Sequence, residues 1–400
     1  MTDTARPTGI TRALILIALG MGGFAIGTTE FAAMSLLPYF ADGLNIDEPT
    51  AGHVISAYAL GVVVGAPVLA VLGAKLPKRT MLLLLMAAFA VFNVLSALSP
   101  NYEMMLVFRF LSGFPHGAYF GVAALVAASL VAPNKRAQAV SLVLLGLTIA
   151  TIIGVPAASW LGQTLGWRWG FGIVGGLAAL SVFLNFLFTP KDTPDPKASP
   201  LRELTALKKR QVWLTLFMGA IGFGGMFAVY TYVTSVVLQV IEAPEWTILV
   251  VLAVFGCGIT VGNLVGAWLA DKALMPAAAG ILIWSTINLL IYPTAAEHLW
   301  TLCISVFMIG GTNGLSPALQ TRLMDVAEDA QTLAAALNHS AFNVANALGP
   351  FLSGLAITAG LSLTATGYVG ACLAFGGLII WAIAMWDEKR SRKLASVPAE

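Results

Sequence analysis

TPKDTPDPKASPLRELTALKKRQ, residues 189–211, is the longest polar break in the chain, with four prolines and six basic residues. Such a composition interrupts helices and stays in water. On both sides the sequence is oily. The 400 residues are 58% hydrophobic and 10% charged, with mean hydropathy +0.86; a soluble domain carries about a quarter charged residues. A membrane span needs roughly 20 mainly apolar residues. Twelve spans are expected, near 12–38, 50–72, 80–98, 102–131, 138–162, 169–189, 211–238, 246–269, 276–293, 299–322, 333–359 and 364–385. Six precede the break and six follow it. The expected organisation is an N-terminal six-helix bundle (1–189), a linker (190–210) with a short amphipathic helix near Leu201–Arg210, a C-terminal six-helix bundle (211–388) and a tail (389–400). The fold class is an all-α membrane protein of twelve transmembrane helices. The first apolar run is too long for a signal-peptide core and has no small-residue cleavage site after it, so it reads as a retained span.

Loop charge sets the expected orientation. With both termini inside, the inner segments hold all but two of the 21 Lys and Arg, the exceptions being Arg168 outside and Arg109 within a span. The outer loops carry Asp42, Asp47, Glu48, Glu242, Glu245 and Glu297. A multi-pass protein of the cell (inner) membrane with cytoplasmic termini follows. Cys257, Cys303 and Cys372 all fall in spans and read as packing residues.

The two halves repeat each other. When the second half is shifted back by 197 residues, Gly22, Gly27, Gly61, Gly65, Gly113, Gly117 and Gly170 meet Gly219, Gly224, Gly258, Gly262, Gly310, Gly314 and Gly367. Chance gives about two coincidences among the glycines present. Each glycine alone is ordinary helix packing; the shared register is what packing does not require.

Three motifs carry a family resemblance along nearly the whole chain. GAPVLAVLGAKLPKR (65–79) is similar to the loop after span two of the major facilitator superfamily, with Ala74 and Pro77 where that family has Asp and Gly. The second half keeps the acid, Asp271, in GAWLADKALMP (266–276). LVFRFLSGFPHGAYFG (106–121) resembles the span-four arginine motif of proton-coupled members, and GLTIATIIGVPAASWLG (146–162) the Gly/Pro motif of span five in antiporters. The resemblance extends to the drug:proton antiporter branch with its sugar-efflux, arabinose-efflux-type and YdhP-type inner-membrane members. It implies a cavity lined by spans one, four, seven and ten. It also implies gating roles for Lys75, Lys78, Arg79, Asp271 and Lys272 at the inner loops, and for Gly154, Pro156, Gly349 and Pro350 within spans five and eleven.

Glu30 and Arg109 are the only Asp, Glu, Lys or Arg deep in any span. At 1.5 Å per residue Glu30 lies roughly 13 Å and Arg109 roughly 11 Å from the outer surface, so the two are expected to meet, directly or through water. Burial favours the neutral acid and a nearby guanidinium favours the carboxylate. That balance is what a proton carrier needs, and both residues are assigned to proton coupling. The alternative is a fixed pair that pins two helices. His116 shares a helical face with Arg109, either as a second proton site or as a neutral hydrogen-bonding group. In the second half Phe227 and Val306 stand at the positions of Glu30 and Arg109. Its polar groups are neutral, which points to substrate contact by Phe227, Tyr230, Thr231, Asn313 and Asn343, with His116 from the first half; His339 and Asn346 share the Asn343 face of span eleven.

The expected function is proton-coupled export of small amphipathic compounds or drugs by alternating access, the direction resting on the resemblance. Efflux of sugars or other polar metabolites, nucleosides included, and passive facilitation are the alternatives. A membrane enzyme or sensor is disfavoured: the four histidines share no metal-ligand spacing and no soluble catalytic domain is present. The expected partners are a small-molecule substrate, protons and the lipid bilayer, with no nucleic acid, no cofactor and no metal, the chain acting as a monomer.

Overall fold

The computed structural model describes residues 9–73, 76–131, 136–193, 207–327 and 331–395, and every element among them is helical. The spans are α1 (Gly9–Ser35), α2 (Glu48–Gly73), α3 (Lys78–Ala97), α4 (Tyr102–Ser129), α5 (136–165), α6 (Trp167–Phe188), α7 (Arg210–Val240), α8 (246–272), α9 (274–295), α10 (Leu299–Ala327), α11 (Gln331–Thr358) and α12 (Thr366–Ala395). Spans eight and nine are not separated by a loop. They form one element, Trp246–Ala295, broken only at Ala273, whose φ of −158° and ψ of 86° are not helical. Gly262 packs on Gly311, and Trp284 Nε1 donates to Met308 O at 3.1 Å. A continuous helix would hold positions 262 and 284 about 33 Å apart, so the chain folds back at Ala273. Of the linker helix expected near Leu201–Arg210, residues 201–206 lie outside the described residues; positions 207 and 208 form a 3₁₀ turn and α7 starts at Arg210.

The repeated glycines have a shared cause. A Cβ on Gly61, Gly65 or Gly113 would run into the backbone of Phe110, Phe114 or Tyr58, so α2 and α4 touch main chain to main chain. A Cβ on Gly258, Gly262 or Gly310 would meet Phe307, Gly311 or Phe255 in the same way, between α8 and α10. This part of the glycine register, Gly61, Gly65 and Gly113 with Gly258, Gly262 and Gly310, is thus two copies of one close helix crossing.

Large apolar side chains are exposed along α3 (Leu84, Val91), α6 (Phe183, Phe186), α9 (Ile287, Ile291) and α12 (Phe375, Ile379). With no core to cover them, these are lipid-facing surfaces. Across the middle, α2 packs on α11 and α5 on α8. At the end of the molecule far from the termini, one apolar core joins both halves: Phe31, Leu36, Val54 and Ile55 pack with Phe227, Tyr230, Val233 and Phe255. Toward the termini the first half has its own core, including Ile15, Leu19, Met81 and Val143, and a small cluster of Val212, Leu216, Leu323 and Ala327 belongs to the second half. The halves share a core at the far end, while the two smaller clusters among the described residues each belong to one half.

Candidate functional site

Residues 22 to 35 of α1 are buried almost without interruption except at Phe24. Gly23 and Gly27 allow this, because their missing side chains let α5 approach: a Cβ on Gly23 would lie 3.1 Å from Val143 O and one on Gly27 would lie 3.0 Å from Ala150 Cβ. Beside them α5 widens into a π turn, Ala150–Gly154, with the Val155 amide bonding back to Ala150 O. Pro156 follows at once and has no amide hydrogen to continue the ladder. Gly154 faces Thr28 and Phe24, where a side chain has no room.

Glu30 is 8% exposed, and its partner comes from the other half of the chain: Asn346 Nδ2 of α11 donates to Glu30 Oε1 at 3.1 Å. Four residues beyond Asn346 stands Pro350, again without the amide hydrogen that would bond the Asn346 carbonyl. One residue beyond, Ala347 O accepts from Ser56 Oγ of α2 at 2.8 Å. Phe31 stacks on Phe227 at 6.2 Å and meets Tyr230 edge-on at 5.5 Å, and Tyr230 stacks on Phe255 at 4.1 Å. The carboxylate therefore lies where α1 meets α11, and the ring of its neighbour Phe31 meets the Phe227 and Tyr230 rings of α7.

Arg109 is fully buried and forms no ion pair with Glu30, so of the two expected arrangements, contact directly or through water, the direct one is absent. Its guanidinium is engaged elsewhere. Nη1 donates to Thr29 Oγ1 at 3.1 Å and lies 3.5 Å from Asn93 Oδ1, while the group lies over Tyr58 at 4.3 Å and near Phe171 at 5.3 Å. Thr29 in turn donates to Asn93 Oδ1 at 2.8 Å, and Asn93 Nδ2 is spent on Phe89 O. Cation–π contacts of this kind contribute about 2 kcal/mol when desolvated. Two aromatic faces and two acceptors thus hold the guanidinium. Its Nε remains without a partner. Tyr58 OH lies 3.0 Å from His116 Nδ1, and the Phe120 ring lies between His116 (5.6 Å) and His339 of α11 (5.5 Å, planes 6° apart).

The remaining residues singled out in sequence scatter. Thr231 is buried with an unpartnered Oγ1. Asn343 Nδ2 bonds His339 O, leaving its buried Oδ1 free. Asn313 lies half-buried in a 3₁₀ turn, Gly311–Gly314, and makes no hydrogen bond with the Glu30 group. At the termini end the Lys78 and Arg79 amides donate to the Asp192 carboxylate at 2.8 and 3.1 Å. The Arg79 side chain reaches Phe186 O and lies over the Phe186 ring. Asp271 has no ion-pair partner among the described residues, and Lys272 lies over Trp268 at 3.5 Å. Lys75 lies outside the described residues. A Cβ on Gly349 would strike the backbone of Gly224 and Ala228, and Pro350 O accepts from Tyr232 OH at 3.3 Å. Sequence reasoning named neither Tyr58, Thr29, Asn93 and Phe171 as holders of Arg109 nor Asn346 as partner of Glu30. For Asn346 the signal was present in its place one turn from Asn343 on a polar helix face.

Known proteins place this architecture. The Major Facilitator Superfamily profile matches residues 19–295 and 250–397. The inner membrane transport protein YdhP of Escherichia coli (strain K12) is 39% identical over 366 residues, covering 91% of this chain and 94% of that protein. The putative transporter AraJ of the same strain is 30% identical over 367 residues (91% and 93% covered). A probable sugar efflux transporter of Helicobacter pylori (strain P12) is 30% identical over 362 residues (90% and 92%). In fold the chain resembles a bacterial homologue of the human lysosomal transporter Spinster, solved in an inward-facing, unoccupied conformation; the TM-score is 0.70 at 15% identity, covering 94% of this chain and 96% of that one. The chain belongs to the major facilitator superfamily and is a secondary transporter that crosses the inner membrane many times.

Proposed function

We propose that the protein exports small amphipathic compounds in exchange for protons, with both termini cytoplasmic and Glu30 as the proton carrier. The observation that carries this reading is the state of Glu30. It is a deep carboxylate without a cationic partner in contact, hydrogen-bonded only to a neutral amide of the opposite half. An acid so placed changes charge when the surrounding helices admit water, whereas an acid locked to a guanidinium would not. With the termini inside, the far end is the outer side, so the structure is closed outward. Glu30 takes a proton when the outer side opens and substrate leaves; inside, substrate binding favours proton release. Arg109 acts on Glu30 through the field, at a distance set by Thr29, Asn93 and Tyr58. The aromatic wall of Phe31, Phe227 and Tyr230 suits an apolar body, and a groove of about 620 Å³ between the inner ends of α1 and α5, lined by Leu16, Ile17, Phe24 and Leu145, offers an apolar approach. Gly154 with Pro156, and Gly349 with Pro350, are the flexing points. Lys78, Arg79, Asp271 and Lys272 lie at the inner rim, where gating charges belong. The chain works as a monomer.

A second reading, efflux of sugars or similar polar metabolites, is favoured by the unpartnered Thr231, Thr234 and Asn343 oxygens and by the name of the Helicobacter relative. One assay separates the two. Proteoliposomes are loaded with either a fluorescent organic cation or a radiolabelled pentose, and a pH gradient is imposed. The parent is expected to move the cation uphill, and Glu30→Gln to lose the uphill component while still equilibrating it. Uphill transport by Glu30→Gln would remove Glu30 from the proton pathway; pentose transport alone would select the second reading.

A further inference from the structure

We infer that Asn346 is the positioning residue that makes closure of the outer side depend on the charge of Glu30. This rests on the reading of Glu30 as the proton carrier. Asn346 is fully buried, its Nδ2 donates to Glu30 Oε1, and its Oδ1 has no partner. A buried acceptor left unpaired is costly. The carboxamide has one donor edge and one acceptor edge, and so does a protonated carboxyl group. When Glu30 gains a proton from outer water, its new O–H becomes the donor that Asn346 Oδ1 lacks. Rotation about the broad terminal torsions of the two side chains presents both edges. The acid and the amide then form a paired, two-bond link between α1 and α11. When Glu30 is ionised it is acceptor-only, so one bond remains and Oδ1 stays empty.

The groups around Glu30 leave this task to Asn346. Arg109 of α4 and Tyr58 of α2 reach it electrostatically, but neither crosses to the second half. Of the second-half elements, α7 brings the Phe227 and Tyr230 rings, and α11 brings Asn346 with no charged group at that level; His339 lies about 10 Å further in along α11. Asn93 of α3, Phe171 of α6 and the π turn of α5 contribute nothing ionisable. In an export cycle this device has a definite use. The empty carrier closes outward with its proton on board, because only then are both bonds made. Once the proton is released inside in exchange for cargo, a single bond remains, and the loaded carrier opens outward more readily.

The test uses the full chain in nanodiscs with no added substrate. Spin labels are placed at Asp42→Cys and Glu297→Cys, exposed positions in the short helix Leu37–Gly43 of the first half and in the turn before α10 of the second, in a background lacking Cys257, Cys303 and Cys372. The distance between them reports outer closure from about pH 8 to about pH 5, where a buried carboxyl group titrates. In the parent, the closed-to-open ratio is expected to rise about fivefold as pH falls, the worth of one added hydrogen bond. Asn346→Leu is expected to abolish the rise, and Asn346→Ser to abolish it where the leucine variant folds poorly. Glu30→Gln is expected to hold the parent's low-pH closed-to-open ratio at every pH, still opening and closing, since an amide pairs with an amide through two bonds. Infrared difference spectra follow the Glu30 carboxyl band in parallel, against Glu30→Gln. If that band does not titrate in the parent, the proton-carrier reading fails and takes this inference with it. If it titrates but Asn346→Leu and Asn346→Ser keep the parental pH response of the distance, the role of Asn346 is overturned and the proton-carrier reading stands.

Discussion

Tyr58 and Phe255 occupy equivalent places in the two halves, 197 positions apart, on helices held by the same glycine crossing. Tyr58 lies under the Arg109 guanidinium at 4.3 Å; Phe255 lies under the Tyr230 ring at 4.1 Å. The neighbours follow suit. Arg109 answers to Val306, Glu30 to Phe227 and Thr29 to Met226. One backbone scaffold therefore presents buried charge in the first half and aromatic surface in the second. Glu30 and Phe227 meet through a neighbour: α1 and α7 cross at the far end of the molecule, where Phe31, next to Glu30, stacks on Phe227. The backbone fixes where a group stands; the side chain decides whether that place titrates or packs.

The hardest blow to this comparison comes from exchanging chemistry at Arg109. Arg109→Lys keeps the charge but loses the planar fork that serves Thr29 and Asn93 while lying on Tyr58. The expected outcome is at least a tenfold fall in proton-driven transport in proteoliposomes and a stability loss of about 2–4 kcal/mol, since buried acceptors are left unpaired. Val306→Ala in the second half is expected to cost about 1–2 kcal/mol by cavity formation alone, with transport retained. Equal effects at the two sites would mean that Arg109 is only a packing residue.

The architecture was legible because it rests on patterns that repeat: apolar length gave the spans, and the glycine register gave the doubled helix crossing. The one departure, Ala273, is a single-residue reversal, too short to leave the polar signature that marks the 189–211 break. The site was legible in part. Depth counting along antiparallel helices correctly placed Glu30 and Arg109 at similar levels, but depth says nothing about rotation around the helix axis. That rotation turns Glu30 toward α11 and Arg109 toward Thr29 and Asn93. Neutral partners such as Asn346 and Asn93 carry no charge to stand out in an oily run, and many similar amides and hydroxyls only bond their own helix, as Asn288 does to Trp284 O.

A finer test asks whether the shared crossing is worth the same in both halves. Gly113→Ala drives a methyl group into the Tyr58 carbonyl of α2, and Gly310→Ala drives one toward Phe255 O and Ile259 N of α8. Both are overpacking against backbone, expected to cost about 1–3 kcal/mol each, measured by thermal unfolding in detergent. Gly113→Ala is expected to lower transport as well, because the carbonyl it displaces belongs to Tyr58, the ring beneath Arg109; Gly310→Ala carries no charged group with it. Equal transport losses would place the functional dependence on the crossing itself rather than on the charge above it.

The smallest effect separates the halves at their helix starts. Asn101 caps α4, its Oδ1 accepting the Met104 amide at 3.0 Å, and its backbone is extended as a cap requires. The equivalent position before α10 is His298, also extended at φ −134° and ψ 144°, but its side chain caps nothing. The backbone is thus prepared for a cap that the sequence does not supply. Asn101→Ala is expected to cost about 1 kcal/mol, and His298→Asn to gain a similar or smaller amount, because an asparagine oxygen there would take one of the first free amides of α10. Amide hydrogen exchange in the first turn of each helix reads both changes locally: faster at positions 103–105 in the first variant, slower at 300–302 in the second. Should His298→Asn leave α10 unchanged, the equivalence of the two helix starts would fail at the one place where only a side chain was thought to distinguish them.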